Sequence, residues 1–304
     1  MENSILVVAL DGLDYELIQK YGCDELTEME EFGKIDNHTG ISKIMTSEEF
    51  ACFITGESWE KHGIKGLFYW NNSKLAKLRD ILVPEYLAKN VRGFTFLKKT
   101  LGNLFDLEKL KHKKSELESD TLFEKVPKSK PMYIPSYNPS MVWFLNGFGG
   151  PLKYGYTVED IMNFWKEREF KVRKRNLEKE IENNSRNFLM CHFHLPDTFH
   201  HFYADKYLFS EKKETNIDEK DLENFYREIN SFVKEIKRKA EDKYDIVIFM
   251  SDHGLPTEKE HNENAFYSCN KELFGDKEPH ITDFHDKILE LTETGKEKIE
   301  DIDV

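Results

Sequence analysis

Three apolar runs, each followed at once by aspartate or histidine, constrain the fold of this chain most strongly. Residues 4–10 (SILVVAL) lead into Asp11-Gly12, residues 187–195 (NFLMCHFHL) lead into PDTFHH, and residues 245–250 (DIVIFM) lead into SDHG. Continuous runs of this kind indicate strands that are buried on both faces of a sheet. Long helical patterns separate the runs, so the alternation predicts an α/β fold: a mostly parallel central sheet covered by helices on both faces.

The length of 304 residues is enough for one domain with a sizeable core, and we expect a single domain over 1–304. Residues 74–118 differ from the rest because they are rich in Lys and Leu at helical spacing. They are expected to form a small helical insertion within that domain. The Gly-rich stretch 146–156 is expected to be a loop, and the polar tail from about residue 293 is expected to fray.

Charge and composition exclude several classes of protein. The net charge of −13 argues against a surface that tracks a nucleic-acid polymer, but it does not exclude a small phosphoester as substrate. No apolar run approaches the length of a membrane span, and the N-terminus lacks the basic start of a signal peptide. The four cysteines are far apart and form no CxxC pair, as expected for free thiols in a cytoplasmic protein. The oligomeric state is not indicated by the sequence.

Each of the three runs ends in side chains that bind metal ions. Asp11 follows the first, Asp197 and His201 follow the second at a spacing of four, and Asp252-His253 follow the third. Since the carboxyl ends of parallel strands meet at one edge of a sheet, these groups are expected to converge.

The chemistry of phosphoester hydrolysis accounts for these residue types. In-line displacement needs an attacking oxygen without its proton and a stabilised leaving oxygen, and two divalent ions about 3.5–4 Å apart provide both. Carboxylate and imidazole together suit Zn²⁺, and Mn²⁺ or Fe²⁺ less specifically. A further histidine, His261, stands just before the segment NENAFYS, while His280 and His285 are rivals for the same place in the ligand set.

The stretch 41–64 (ISKIMTSEEFACFITGESWEKHGI) offers the nucleophile. Thr46 and Ser47 precede or begin a predicted helix over 47–55, where a hydroxyl either caps the helix or faces an anion. A metal-bound hydroxyl is a far better nucleophile near pH 7 than a free one, so the ligand set favours a catalytic role for Thr46. Ser47 is the alternative nucleophile.

In this order the motifs resemble the alkaline phosphatase superfamily, specifically its type I phosphodiesterase/nucleotide pyrophosphatase branch. The resemblance covers roughly 1–70 and 187–270, and its matching pieces are VVALDG, Thr46 nine residues before Thr55-Gly56, HGI at 62–64, PDTFHH at 196–201, SDHG at 251–254, and His261 with NENAFYS. It implies an alkaline phosphatase-like fold and a hydrolase of phosphodiester or pyrophosphate bonds.

Carried over by position, the resemblance also implies a two-metal site. One metal would be held by Asp197, His201 and His261, and the other by Asp11, Asp252 and His253, with Thr46 near both. The implied reaction passes through a covalent phospho-threonine that water then hydrolyses. His261 is preferred to its rivals because it immediately precedes a probable strand, and His62 of HGI is expected to be structural.

The segment after Thr46 departs from the family pattern, because Glu48 and Glu49 stand where a Pro, Asn or small residue is common. A carboxylate near the phosphate would repel a dianionic monoester more than a monoanionic diester, which favours diesters. A phosphomonoesterase or phosphomutase on the same scaffold is the alternative, with the insertion selecting the substrate. A catalytically silent metal-binding interaction protein is a further alternative.

Overall fold

The computed structural model describes residues 3–66, 68–70, 73–82, 96–98, 100–101, 103, 109–139, 157–204, 217–257 and 260–292. The predictions for the Gly-rich stretch 146–156 and for the tail from residue 293 lie outside the described residues. In chain order the elements are β1 (Ile5–Leu10), α1 (Tyr15–Lys20), α2 (Asp24–Thr27), β2 (Glu31–Lys34), α3 (Thr46–Thr55), α4 (Trp59–His62), β3 (Phe68–Trp70), α5 (Ser73–Leu82), β4 (Lys109–Lys111), a 3₁₀ turn (Lys114–Glu116), α6 (Leu122–Lys125), β5 (Ser129–Met132), α7 (Val158–Phe164), a π-helical turn (Trp165–Phe170), α8 (Lys171–Asn183), β6 (Phe188–Phe193), α9 (Leu195–Tyr203), α10 (Glu219–Ala240), β7 (Ile246–Met250), β8 (Phe266–Cys269) and α11 (Asp283–Leu291).

The central sheet has six strands in the order β2-β8-β7-β1-β6-β5. Strand β1 runs parallel to both of its neighbours, β6 and β7, and β5 runs parallel to β6. Strands β8 and β2 extend the sheet in antiparallel fashion. Leu10 pairs with Phe193 and Ala9 with Met250, so the three predicted strands end almost level at one edge. The α/β fold with a mostly parallel sheet is therefore confirmed.

Both faces of β1 are buried, and alternate residues pack into different cores. Leu6, Val8 and Leu10 belong to a core that includes residues of α8, α9 and α10. Ile5 and Val7 belong to a second core with residues of α3, α6 and α11. All five side chains are fully buried, and burial of such a side chain contributes roughly 1.5–3 kcal/mol. This double cover explains why the run reads as continuously apolar.

Helix α3 begins at Thr46, and every residue in it is buried. Met45 occupies the N-cap position and makes no capping hydrogen bond with its side chain, so neither Thr46 nor Ser47 is the cap. The helix ends at Gly56, whose φ of 70° is left-handed. The hydroxyl of Thr46 is therefore not used to cap the helix and remains available for another role.

The segment predicted as a helical insertion is only partly helical where it is described. Helix α5 is present, but Lys109–Lys111 form strand β4, which pairs antiparallel with β3. The expected helical insertion thus also contains a strand, because the helical spacing of Lys and Leu residues carries no information about pairing with β3.

Helices long and apolar enough for a membrane span do not occur in the described part of the chain. The four cysteines are buried free thiols, as predicted.

Candidate active site

The three level strand ends place the predicted ligands around Gly12. A Cβ at this position would lie 3.0 Å from Cβ of Asp197 and 3.1 Å from Cε1 of His253, and the φ of 74° is left-handed. Glycine is therefore required here, both for the turn after β1 and for the close approach of two strand ends. The turn brings Asp197, from α9, and His253, from the end of β7, against the same residue.

Four donor atoms form a first group beside Asp11. Oγ1 of Thr46 donates to Oδ1 of Asp11 at 3.3 Å and lies 3.2 Å from Nε2 of His253. The same nitrogen lies 3.2 Å from Oδ1 of Asp11 and 3.4 Å from Oδ2 of Asp252. All four residues are buried.

Three donor atoms form a second group at the start of α9. Oδ1 of Asp197 lies 3.3 Å from Nε2 of His201 and 3.4 Å from Nε2 of His261. The two imidazole nitrogens are 3.3 Å apart. Asp197 and His201 share one face of the helix because they are four residues apart, and His261 arrives from the loop before β8.

These spacings fit tetrahedral zinc. Metal–ligand distances of about 2.0–2.1 Å imply edges of about 3.3–3.4 Å between ligand atoms. The distances within both groups fall at or close to that value. Two buried carboxylate oxygens, Oδ1 of Asp197 and Oδ2 of Asp252, also have no hydrogen-bond partner among the described residues. A cation bound in each group would satisfy the carboxylate oxygen of that group.

Backbone carbonyls orient two of the histidine ligands. Nδ1 of His253 lies 2.9 Å from the carbonyl of Gly254, and Nδ1 of His261 lies 3.3 Å from the carbonyl of Ile44. A carbonyl only accepts, so each Nδ1 carries a proton and Nε2 is the nitrogen left to bind a cation. This second-shell arrangement is usual for histidines that bind metal. Without a cation, burial acts to lower the pKa of His253, but Asp252 and Asp11 outweigh burial and raise it to about 10, so an ion bound at Nε2 would displace a proton.

The electrostatics of the first group also favour a cation. Burial alone would raise the pKa of Asp11, but the imidazoles of His194, His192 and His253 outweigh burial and hold the pKa well below its ordinary range. Burial and the neighbouring Asp11 carboxylate raise the pKa of Asp252 well above its ordinary value. A second negative charge beside Asp11 is therefore unfavourable until a positive ion offsets it.

Glu48 and Glu49 do not act as charged carboxylates facing a phosphate, as was expected from the sequence. The Glu48 carboxylate accepts hydrogen bonds from the backbone and hydroxyl of Ser42 and, at 2.9 Å, from the backbone of Gly66, so it braces a loop. Glu49 is fully buried, and burial together with the charges of Asp252 and Glu48 raises its pKa well above the ordinary value. Its neutral form is favoured, so the argument for diesters gains no support from these residues.

The structure separates the predicted ligands from their rivals. His280 pairs with Asp36 at 2.6 Å, and Nδ1 of His285 lies 2.7 Å from the Asp286 carboxylate. His62 accepts a hydrogen bond from the backbone of Ile64 at 3.1 Å. Among the contacts of the described residues, none joins the hydroxyl of Ser47 to either donor group.

Four residues near the site were not predicted from the sequence. His192 and His194 lie against Asp11, and their signal was the HFH motif at the end of the second apolar run. Asn37 donates to the backbone carbonyl of Asp252 at 2.8 Å. Lys111, at the end of β4, interacts electrostatically with both Asp11 and Asp197. No local pattern marks Asn37 or Lys111, because both reach the site from distant parts of the chain.

The sheet, its level strand ends and the two donor groups define an α/β protein with a candidate metal-binding site. The profile of the family described as "Type I phosphodiesterase / nucleotide pyrophosphatase" matches residues 5–273, and the chain belongs to this family. Membership implies a phosphoester hydrolase. No curated protein sequence matches the chain.

Similar solved structures are distant in sequence. Murine ectonucleotide pyrophosphatase/phosphodiesterase 5 is 13% identical with a TM-score of 0.43, and the match covers 83% of this chain and 57% of that one. The PH0037 protein of Pyrococcus horikoshii is 11% identical with a TM-score of 0.46, covering 97% and 98% of the two chains. The alkaline phosphatase of the Antarctic bacterium TAB5 is 11% identical with a TM-score of 0.43, covering 96% and 99%. The chain thus spans little more than half of the murine protein.

Proposed function

We propose that the protein is a two-metal phosphodiesterase or nucleotide pyrophosphatase that acts through Thr46. The observation that carries the proposal is the position of its hydroxyl, which lies 3.3 Å from Oδ1 of Asp11 and 3.2 Å from Nε2 of His253 within the first group of donor atoms. The second group of donor atoms lies nearby, since Asp197 and His253 both approach Gly12. When bound, two divalent ions, best matched by Zn²⁺, would activate the attacking oxygen and stabilise the leaving oxygen.

The two donor groups divide the ligands. Asp11, Asp252, His253 and Thr46 would hold one ion, and Asp197, His201 and His261 would hold the other. The first group supplies four donors and the second supplies three. Three protein ligands with an open position are typical of a catalytic zinc, so we assign substrate or water to that position.

Thr46 is oriented for attack by its neighbours. Its O–H donates to Oδ1 of Asp11, which leaves the lone pairs of Oγ1 for the ion and the incoming phosphorus. The new bond joins Oγ1 to phosphorus while the bond from phosphorus to the leaving oxygen breaks; Oγ1 loses its proton to solvent, the leaving oxygen takes one up, and the product on the protein is a phospho-threonine. Water then attacks phosphorus, the bond between Oγ1 and phosphorus breaks, Oγ1 regains a proton and the phosphate product leaves.

Lys111 supports an anionic substrate. Burial lowers the pKa of Lys111 to about 7, while the carboxylates of Asp11 and Asp197, one from each donor group, act to raise it, so Lys111 lies close to where the phosphate would bind. Lys111 belongs to the insertion, and we assign it to phosphate binding. This position makes β4 the part of the insertion through which the substrate would be selected.

The proposal is tested with purified protein reconstituted with Zn²⁺ or Mn²⁺. Turnover is measured on bis(p-nitrophenyl) phosphate, p-nitrophenyl phosphate and a nucleotide-sugar pyrophosphate. The expected result is faster hydrolysis of the diester or pyrophosphate, with two ions per chain by elemental analysis. A rate on the monoester far above the rate on its bis-ester would refute the diester assignment.

The nucleophile is tested by substitution. We expect Thr46→Ala to lower kcat by at least about 1,000-fold with nearly unchanged metal content at the second group, while Thr46→Ser keeps measurable activity. Ser47→Ala is the matched control, since it removes the neighbouring hydroxyl. Full activity of Thr46→Ala would overturn the assignment.

A further inference from the structure

Asp11 directs its two carboxylate oxygens to different partners. Oδ1 faces Thr46 and His253 in the first donor group. Oδ2 faces away from them and lies 3.0 Å from Nε2 of His192 and 2.5 Å from Nδ1 of His194. The ligand atoms of Asp11, His192 and His194 lie within 4.8 Å of one another, which is close enough for a third cation. The neighbours of His192 decide whether a cation belongs there.

Arg173 and Asp11 favour the same tautomer of His192 from opposite ends of its ring. Nη1 of Arg173 lies 3.1 Å from Nδ1 of His192 and donates to the carbonyl of the same residue at 2.5 Å. A guanidinium has only donors, so Nδ1 must be the acceptor. The neutral ring then carries its proton on Nε2 and donates it to Oδ2 of Asp11. A nitrogen that carries a proton has no lone pair for a metal, and the guanidinium itself repels a cation.

Glu169 balances the charge of Arg173. The Glu169 carboxylate lies 2.5 Å from Nε of Arg173, and the two side chains are 1% and 3% exposed. Glu169 also accepts a hydrogen bond from the backbone of His194 at 3.4 Å. The pair spans the junction between the π-helical turn and α8, and π-helical turns are frequent at functional sites. A buried ion pair adds little stability, so its value here lies in the geometry it imposes.

We propose that Glu169, Arg173 and His192 are positioning residues that form a proton-donating brace for Asp11 in place of a third metal ion. The brace occupies Oδ2, so only Oδ1 is left for the metal ion of the first group. Asp11 would therefore bind that ion through a single oxygen. This inference rests on the proposed function, in which Asp11 is a metal ligand.

The tautomer of His192 is tested by ¹⁵N NMR, which needs neither metal nor substrate. Wild-type protein should show His192 protonated at Nε2. The double variant Glu169→Gln/Arg173→Met removes both buried charges together, so it leaves no charge unpaired. It should keep the proton on Nε2, because the acceptor Oδ2 of Asp11 remains, but shift the Nδ1 resonance to that of a nitrogen that accepts no hydrogen bond. A ring protonated at Nδ1 in wild-type protein would overturn the inference.

The effect on the metal is tested by competition with a chromophoric chelator for Zn²⁺. Loss of a second-shell partner of a metal ligand costs about 10–100-fold in affinity, so His192→Phe should weaken one of the two zinc ions by that factor and spare the other. His192→Gln, which keeps an N–H donor, should recover most of the loss. His62→Gln is the control for removal of a buried imidazole elsewhere and should keep wild-type zinc affinity.

The outcomes separate the two proposals. Wild-type protein that binds fewer than two zinc ions contradicts the proposed function. Wild-type protein that binds two ions, together with a His192→Phe variant of unchanged affinity and kcat, contradicts the brace alone. If His192→Phe does not fold, the affinities of His192→Gln and of the double variant decide, since the double variant should lose roughly tenfold at one ion.

Discussion

Protonation of His62 should destabilise the protein in mild acid. Its ring is fully buried between α3 and the turn after α4, where Nδ1 accepts the N–H of Ile64 and Nε2 lies 3.3 Å from Sγ of Cys52. A second proton would have to enter at Nδ1, where the N–H of Ile64 already points. Burial is the main cause that lowers the pKa of His62, which lies at about 4 instead of the ordinary 6.5.

The size of the effect follows from these two values. The folded protein binds the proton less well than the unfolded chain, so the stability contributed by neutral His62 is complete above pH 6.5 and is lost as the pH falls toward 4. With a pKa of about 4 in the folded protein and 6.5 in the unfolded chain, proton linkage lowers the free energy of unfolding by about 2 kcal/mol between pH 8 and pH 5. His62→Gln cannot take up this proton, so its stability should fall by about 2 kcal/mol less over the same range.

Urea unfolding of wild-type protein and of His62→Gln at pH 8 and pH 5, with a chelator present, measures this difference in pH dependence. The histidines of the metal site titrate in both proteins and cancel. Equal pH dependence of the two proteins would refute the reasoning. An NMR titration of His62 in wild-type protein gives an independent answer, since an apparent pKa of 6 or above is incompatible with a neutral buried ring. A low pKa with a normal metal content would also support the structural role expected of the HGI turn.

Other perturbations test different parts of the structure. Gly56→Ala should lower the free energy of unfolding by about 2–4 kcal/mol, because φ is 70° and the new Cβ would lie 2.7 Å from Nδ1 of His285. The control Gly22→Ala has a φ of 61° but no contact closer than 3.8 Å, so it should lose only about 1–2 kcal/mol. Equal losses in urea unfolding would contradict the steric clash at residue 56. Lys111→Met should raise KM for a phosphodiester by roughly tenfold or more without changing zinc content. Lys113 is exposed, so Lys113→Met should leave KM unchanged. An unchanged KM for Lys111→Met would exclude phosphate binding by Lys111. Removal of metal with a chelator should lower Tm, and zinc should restore it, because the buried carboxylates lose their counter-ion; a Tm that does not respond to either would count against the metal site.

Local composition was enough to predict the framework of the sheet. The runs at 4–10, 187–195 and 245–250 are continuously apolar because each strand is covered on both faces, and that property can be read within six residues. The ends of parallel strands lie at one edge, so the aspartates and histidines after each run were expected to meet. The antiparallel β8 and β2 were not predicted as part of this sheet, since a short strand carries little periodic signal.

Side-chain direction distinguishes adjacent residues that the sequence ranked only by spacing. His200 and His201 are adjacent, yet Nδ1 of His200 lies 2.8 Å from the carbonyl of Gly12 and its Nε2 faces the hydroxyl of Tyr226, while His201 faces Asp197. Thr46 and Ser47 differ in the same way, because successive residues of a helix point about 100° apart. Neither choice can be made from composition.

Residues close together in the chain specify the strands, the order of the ligands and the hydroxyl at the start of α3. Which atoms meet depends instead on the packing of distant segments. The tertiary structure placed His261 with Asp197 and kept His280 and His285 apart from both donor groups, and it brought Arg173 to His192 and Lys111 toward Asp11. These contacts depend on how helices and the insertion pack against the sheet, because packing sets the distance and direction of side chains that lie far apart in the chain.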